Sequence, residues 1–176
     1  VQRLGHVVLQ STKYIQTLNW YLDYIGLIVS DFMYYPGQRD RGPAMAFIRC
    51  DRGATAADHH TLAMVLGPGR RYVHSAYEVS DLDALAAGGE YLREHRYNHS
   101  WGIGRHILGS QLFDYWNDPW DNKHEHYCDG DMFTAADVLP VARSEEERGD
   151  PHPLFAAFMD LPASRSFSRR EVREEV

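Results

Sequence analysis

The chain is short of cysteine, positive charge and long apolar runs, and each shortage excludes a class of protein. Its two cysteines, Cys50 and Cys128, lie far apart and in no CxxC spacing. A disulfide framework and a zinc ribbon are thereby excluded, and a reduced, cytoplasmic setting is expected. No run of 18 apolar residues and no signal-peptide pattern is read, so no membrane partner is expected. Lys and Arg number 18 against 25 Asp and Glu, a formal charge of −7, with no basic stripe. Phosphate binding needs a positive footprint, so nucleic acid is not the expected partner. Methionine is missing from the first position: the chain opens on Val1, inside an apparent strand. The expectation is a fragment or the carboxyl-terminal portion of a longer protein.

What is present is enough apolar material, 44% of 176 residues, for one sizeable core, together with ten histidines. One compact unit binding a small ligand is expected. RLGHVVLQ at 3–10 alternates as a strand, with His6, Val8 and Gln10 on one face. Ser11 or Thr12 can cap a helix carrying Ile15, Leu18, Leu22 and Ile25 at helical spacing, which Gly26 ends. LIVSDFMYY, AMAFIRC and a stretch starting near His59 read as three further strands. Gly67-Pro68-Gly69 then breaks the chain.

The same order returns. YVHSAYEV reads as a strand, and Ser80 as the cap of a helix with Leu82, Leu85 and Leu92 on one stripe. SWGIGRHILG, SQLFDYWNDP and KHEHYCDG read as three short strands. His6 precedes Thr12 by six residues and His74 precedes Ser80 by six. The reading is an α+β fold of two βαβββ modules, 1–68 and 69–140, whose pseudo-twofold pairing brings both histidines into one cleft. From 141 to 176 the chain turns charge-dense. This extension is expected to be partly flexible, with a patch of Leu154, Phe155, Phe158 and Leu161 that docks on the body or on another subunit.

Polar groups set inside apolar strands are costly unless they share a purpose. His6, His74, Tyr115 and Glu125 are such groups. Two histidines and one carboxylate with open coordination positions suit non-haem Fe(II) oxygen chemistry, and the candidate ligands are His6, His74 and Glu125. Alternation turns Glu125 away from His124 and His126. His95 and His99 fall in a polar stretch and read as surface groups.

GHVVL, DHHTLAM, VHSAYEV, GIGRHILGS and FDYWNDPWDNKHE together resemble the catalytic domain of type I extradiol ring-cleaving dioxygenases, members of the vicinal oxygen chelate superfamily. The resemblance covers about residues 3–130, and its spacings agree: His60 precedes His74 by 14 residues, Tyr115 precedes Glu125 by 10, and His106 precedes Glu125 by 19. It implies an open, mixed, barrel-like sheet with helices outside. It implies that His6, His74 and Glu125 hold Fe(II), or Mn(II) in some members. His60 would be the acid/base histidine beside the metal, while His106 and Tyr115 would hydrogen-bond the substrate oxygens. The implied reaction is cleavage of a catechol-type diol by O2 beside its hydroxyls, in the catabolism of aromatic compounds, by a cytoplasmic homo-oligomer.

Alternatives remain open in the sequence. A one-residue slip would exchange His60 for His59. Trp101, Trp116 and Trp120 could line a pocket or fill the core. Asp118-Pro119 reads as a turn, and the acids at 129 and 131 lack the other ligands of a calcium loop. Rival functions on the same scaffold are a glyoxalase-like metal-dependent isomerase or transferase and a bleomycin-resistance-type binding protein. The first has no need of His60, His106 and Tyr115; the second has no need of His6, His74 and Glu125 together.

Overall fold

The computed structural model describes residues 1–137. The first half runs β1 (Arg3–Ser11), α1 (Tyr14–Trp20), β2 (Leu27–Met33), β3 (Met45–Cys50), the two-residue β4 (Ala57–Asp58) and β5 (Leu62–Leu66). The second runs β6 (Arg71–Glu78), α2 (Leu82–Glu94), β7 (Asn98–Arg105), β8 (Leu112–Asn117), β9 (Lys123–Cys128) and the two-residue β10 (Met132–Phe133). Eight strands make one unclosed sheet in the order β2-β3-β5-β1-β6-β9-β8-β7, while β4 and β10 pair apart from it.

The two halves follow one path outward from the centre. β1 and β6 meet antiparallel at the middle, β1 then pairs β5 in parallel, and β6 pairs β9 in parallel. Each outer pair is antiparallel. The repeat read from the sequence is therefore the symmetry of the sheet.

Strand alternation divides the core between the two faces. Ala46, Ile48, Leu62 and Met64 pack with Tyr14 and Leu18 of α1, whereas Val8, Met45, Phe47, Ala63, Val65 and Val73 gather on the other, concave face. Beneath α2 the smaller cluster is Val79, Leu85 and Cys128.

Local details depart from the sequence reading. On the first helix Tyr14 and Leu18 are buried, while Ile15 and Ile25 are 53% and 54% exposed. Tyr14 takes the inward place, and from Tyr21 to Ile25 the helix widens to π geometry, which turns Ile25 off the buried face before left-handed Gly26 closes the element. Neither expected cap holds. Ser11 accepts from the Lys13 amide ahead of α1, whose first position Lys13 makes no side-chain cap, and Asp81 rather than Ser80 accepts from the Ala84 amide at 2.8 Å. Both boundaries move by one residue, so each histidine precedes its helix boundary by seven (6 to 13, 74 to 81) and the equivalence survives. On α2, Leu85 and Gly89 are the buried positions and Leu82 is exposed. The boundary at 140, the extension 141–176 and its Leu-Phe patch lie outside the described residues.

Candidate metal centre

Register brings the site together. His6 on β1 stands opposite Ala76 on β6, Ala76 opposite Glu125 on β9, Glu125 opposite Tyr115 on β8, and Tyr115 opposite Trp101 on β7. This row crosses five strands on the concave face, and the methyl of Ala76 leaves space between the imidazole and the carboxylate. Two irregularities complete it. β1 slips its register between Leu4 and His6, where Gly5 lies under Tyr127: a Cβ there would sit 1.8 Å from the tyrosine hydroxyl. β6 carries an extra residue at Val73, so Val73 and His74 both reach the concave side while the Tyr72 hydroxyl bonds Ser75 on the other.

His6, His74 and Glu125 meet there, all buried. The two histidine Nε2 atoms lie 3.4 Å apart, and they stand 3.2 and 3.1 Å from Glu125 Oε2. Neither oxygen of Glu125 has a hydrogen-bond donor in line with it, although the side chain is 0% exposed. Burial pushes the His74 imidazole down to about 4. Burial also works to raise the Glu125 carboxyl, but His106, His6 and His74 together outweigh it and hold the group well below the ordinary carboxylate range. An ionised carboxylate without an in-line donor, facing two imidazole nitrogens in a buried site, is a costly arrangement unless a cation joins them. Two nitrogen donors and one oxygen donor fit a divalent transition metal with open positions.

The surrounding histidines take distinct places. His106 Nε2 lies 3.0 Å from the Tyr115 hydroxyl and 3.7 Å from Glu125 Oε1, and its ring stacks on Phe113. Burial first, and then the charge of Glu125, pushes the Tyr115 hydroxyl well up. The His60 ring is 4.1 Å from that of His6, and burial with the neighbouring imidazoles pushes it well down.

His59 and His60 precede β5 in non-strand backbone, so the alternation argument that set them on opposite faces does not apply. Both are buried, with their Nδ1 atoms 3.0 Å apart, and His59 Nε2 lies 3.8 Å from Asp31. His60 is the one beside His6. His99, read as a surface group, is exposed, and from there it bonds the buried Asp114 at 2.7 Å, because a fully buried carboxylate needs a partner. His95 is exposed, and His124 and His126 lie on the helix face, against Asp118 and Gly88 respectively.

Of the tryptophans, Trp101 is half-buried and stacks on Tyr115 with rings 9° from parallel, Trp116 is buried beneath α2 and bonds Asp114, and Trp120 is 81% exposed. Asp129 pairs with Arg105 and Asp131 with Ser110, so they do not converge. Sequence reasoning missed Lys123, Arg71 and Ala76. Lys123 was within reach, two residues before Glu125 on the same face; the other two depend on the β6 register.

Two equal βαβββ halves in one unclosed sheet give the chain the vicinal oxygen chelate fold of its structural neighbours. The chain is 33% identical over 140 residues, 80% of its length, to metapyrocatechase 2 of Cupriavidus necator, and spans 40% of that protein. The Mn(II)-bound glyoxalase of Novosphingobium aromaticivorans matches 81% of the chain with 42% of its own length, at 25% identity and a TM-score of 0.66. The 2,3-dioxygenase LapB of Pseudomonas sp. KL28 matches 82% of the chain with 48% of its own, at 16% identity and a TM-score of 0.72. The chain thus spans less than half the length of these relatives. No protein-family model matches it. Its sequence relative and structural neighbours are extradiol catechol dioxygenases and glyoxalases of this fold.

Proposed function

We propose that the chain is the catalytic domain, residues 1–140, of an Fe(II)-dependent extradiol dioxygenase that opens an aromatic diol with O2 in the breakdown of aromatic compounds. The observation that carries this reading is the single concave row His6, Ala76, Glu125 and Tyr115, with His60 and His106 beside it. The relation to metapyrocatechase 2 supports the same reading.

In this reading His6, His74 and Glu125 hold the metal, Fe(II) or Mn(II). When bound, the metal lowers the pKa of the diol hydroxyls and lets electrons pass from ring to oxygen. The protein's part follows from its side chains. Tyr115 donates a hydrogen bond to a diol oxygen, and His106, linked to the Tyr115 hydroxyl, keeps that group oriented. His60, buried and backed by His59, holds and returns a proton beside the metal; general acid and base help of this kind is worth on the order of 10²–10⁴ in rate. Val8, Phe47 and Val65 on the concave face keep water from the ring.

A glyoxalase-like isomerase shares the fold, as the Novosphingobium aromaticivorans protein does. His60, His106 and Tyr115 favour the dioxygenase. Among the described residues no helix is long and apolar enough to cross a membrane. Both cysteines are free, which suits a reduced cytoplasm. Self-association into a homo-oligomer completes the proposal.

The test is anaerobic reconstitution of the full chain with Fe(II), addition of catechols and then O2, and a search for the yellow ring-fission product. We expect colour that disappears in His74→Ala. No colour with any diol, together with stoichiometric zinc in the purified protein, moves the assignment to the isomerase.

A further inference from the structure

The concave face holds two cations that nothing described above uses. Lys123 pairs with His74 across the parallel β6–β9 ladder, about 5 Å away along the hydrogen-bonding direction, and sits about 7 Å from Glu125 along its own strand. It therefore borders two of the three candidate metal ligands. Its ammonium lies 5.8 Å from the centroid of the Tyr115 ring. Arg71 reaches the same face because the extra residue at Val73 resets the alternation of β6, and it stands opposite Gln10 on β1.

Both side chains are half-buried, and the Nε of Arg71 is buried with no hydrogen-bond partner. Among the described residues neither Arg71 nor Lys123 meets a carboxylate, in a chain that carries 25 acidic residues against 18 basic ones. Two cations drawn partly out of water on one face, with no carboxylate beside them, are unfavourable unless an anion visits them.

We infer that Arg71 and Lys123 form a subsite for an anionic substituent on the aromatic ring, so that the substrate class is carboxylated catechols. The inference rests on the dioxygenase reading only for the diol; the anion subsite rests on the two cations themselves. A carboxylate between them gains charge-assisted hydrogen bonds from a planar guanidinium and an ammonium. It also fixes the ring in one orientation at the metal, because the anion is held on the side of His74 and Lys123. A neutral diol lacks that anchor.

The experiment uses the full chain with Fe(II) and compares kcat and KM for 3,4-dihydroxybenzoate and 3,4-dihydroxyphenylacetate with those for catechol and 4-methylcatechol. Binding of benzoate is measured in parallel by calorimetry at two salt concentrations. The carboxylated diols should have the lower KM, and Arg71→Gln or Lys123→Gln should raise that KM on the order of tenfold more than the KM for 4-methylcatechol. Lys123→Arg should restore much of the preference. Benzoate should bind the wild type more weakly at high salt, and less still when both cations are replaced.

Equal KM values for charged and neutral diols, or equal losses for both in the variants, overturn the subsite. If no diol is turned over, calorimetry decides alone. Charge-dependent benzoate binding then sustains the subsite while the dioxygenase reading falls, and its absence overturns the subsite as well.

Discussion

His59 and His60, neighbours in the chain, turn their rings toward each other so that their Nδ1 atoms lie 3.0 Å apart, and His60 alone reaches the ring of His6. A contact at this distance needs one nitrogen to donate and the other to accept, so each imidazole constrains the tautomer of its neighbour. The two therefore stand in unequal places: His60 borders the proposed metal centre, and His59 stands behind it.

Replacing His60 with Asn should lower kcat on the order of 10²–10⁴ while metal content stays stoichiometric. Replacing His59 with Leu keeps the volume beside Phe47 and Phe133 but removes the brace, and should cost on the order of 10–100-fold. Steady-state kinetics with metal analysis on each protein separates the two roles. A His59→Leu enzyme more damaged than His60→Asn would reverse the assignment.

Metal should stabilise the fold. With Fe(II) or Mn(II) at a hundred times its dissociation constant, linkage adds about 2.7 kcal/mol, a rise in melting temperature on the order of 5–10 °C for a chain of this size. Chelation should remove the rise, and Glu125→Ala or His74→Ala should abolish it. Thermal melts under nitrogen provide the measurement. An undiminished rise in both variants would place the ion elsewhere.

The cap of α2 offers a check on local structure. Asp81→Ala removes the acceptor of the Ala84 amide and should cost about 1 kcal/mol, whereas Ser80→Ala should change stability by less than about 0.5 kcal/mol. Urea midpoints of the two proteins decide it, and the opposite ranking would return the cap to Ser80.

Gly5 and Tyr127 should be coupled. Gly5→Ala drives a methyl into the tyrosine hydroxyl and ring and should cost about 1–3 kcal/mol by overpacking. Tyr127→Phe should be near neutral, since the buried hydroxyl has no hydrogen-bond partner to lose. Gly5→Ala combined with Tyr127→Ala should cost less than the sum of the two single changes. Because the Tyr127 ring lies 5.3 Å from His6, Gly5→Ala should also weaken metal binding. Strict additivity would show that the strands move apart without strain.

Much of this arrangement was legible in the chain. Apolar alternation placed the strands, Gly26 ended the first helical element, and the equal spacing of His6 and His74 from their helices revealed the repeat. Details that depend on one residue's backbone were not legible. Asp81 captures the cap that Ser80 could have taken, and the π turn at Tyr21 rotates Ile25 out of a stripe that regular helical spacing places inside. At His59 and His60 the alternation argument had no strand to act on.

The sequence by itself determined which residue types were available to bind a metal, and that two halves would repeat, because hydrophobic period and local spacing are properties of the chain. Tertiary structure alone decided the rest: parallel pairing of β6 with β9 sets Glu125 across Ala76 from His6, and one extra residue in β6 turns Arg71 to the same face. The physical reason is that register between strands far apart in sequence is fixed by backbone hydrogen bonds and bulges, which no local pattern records.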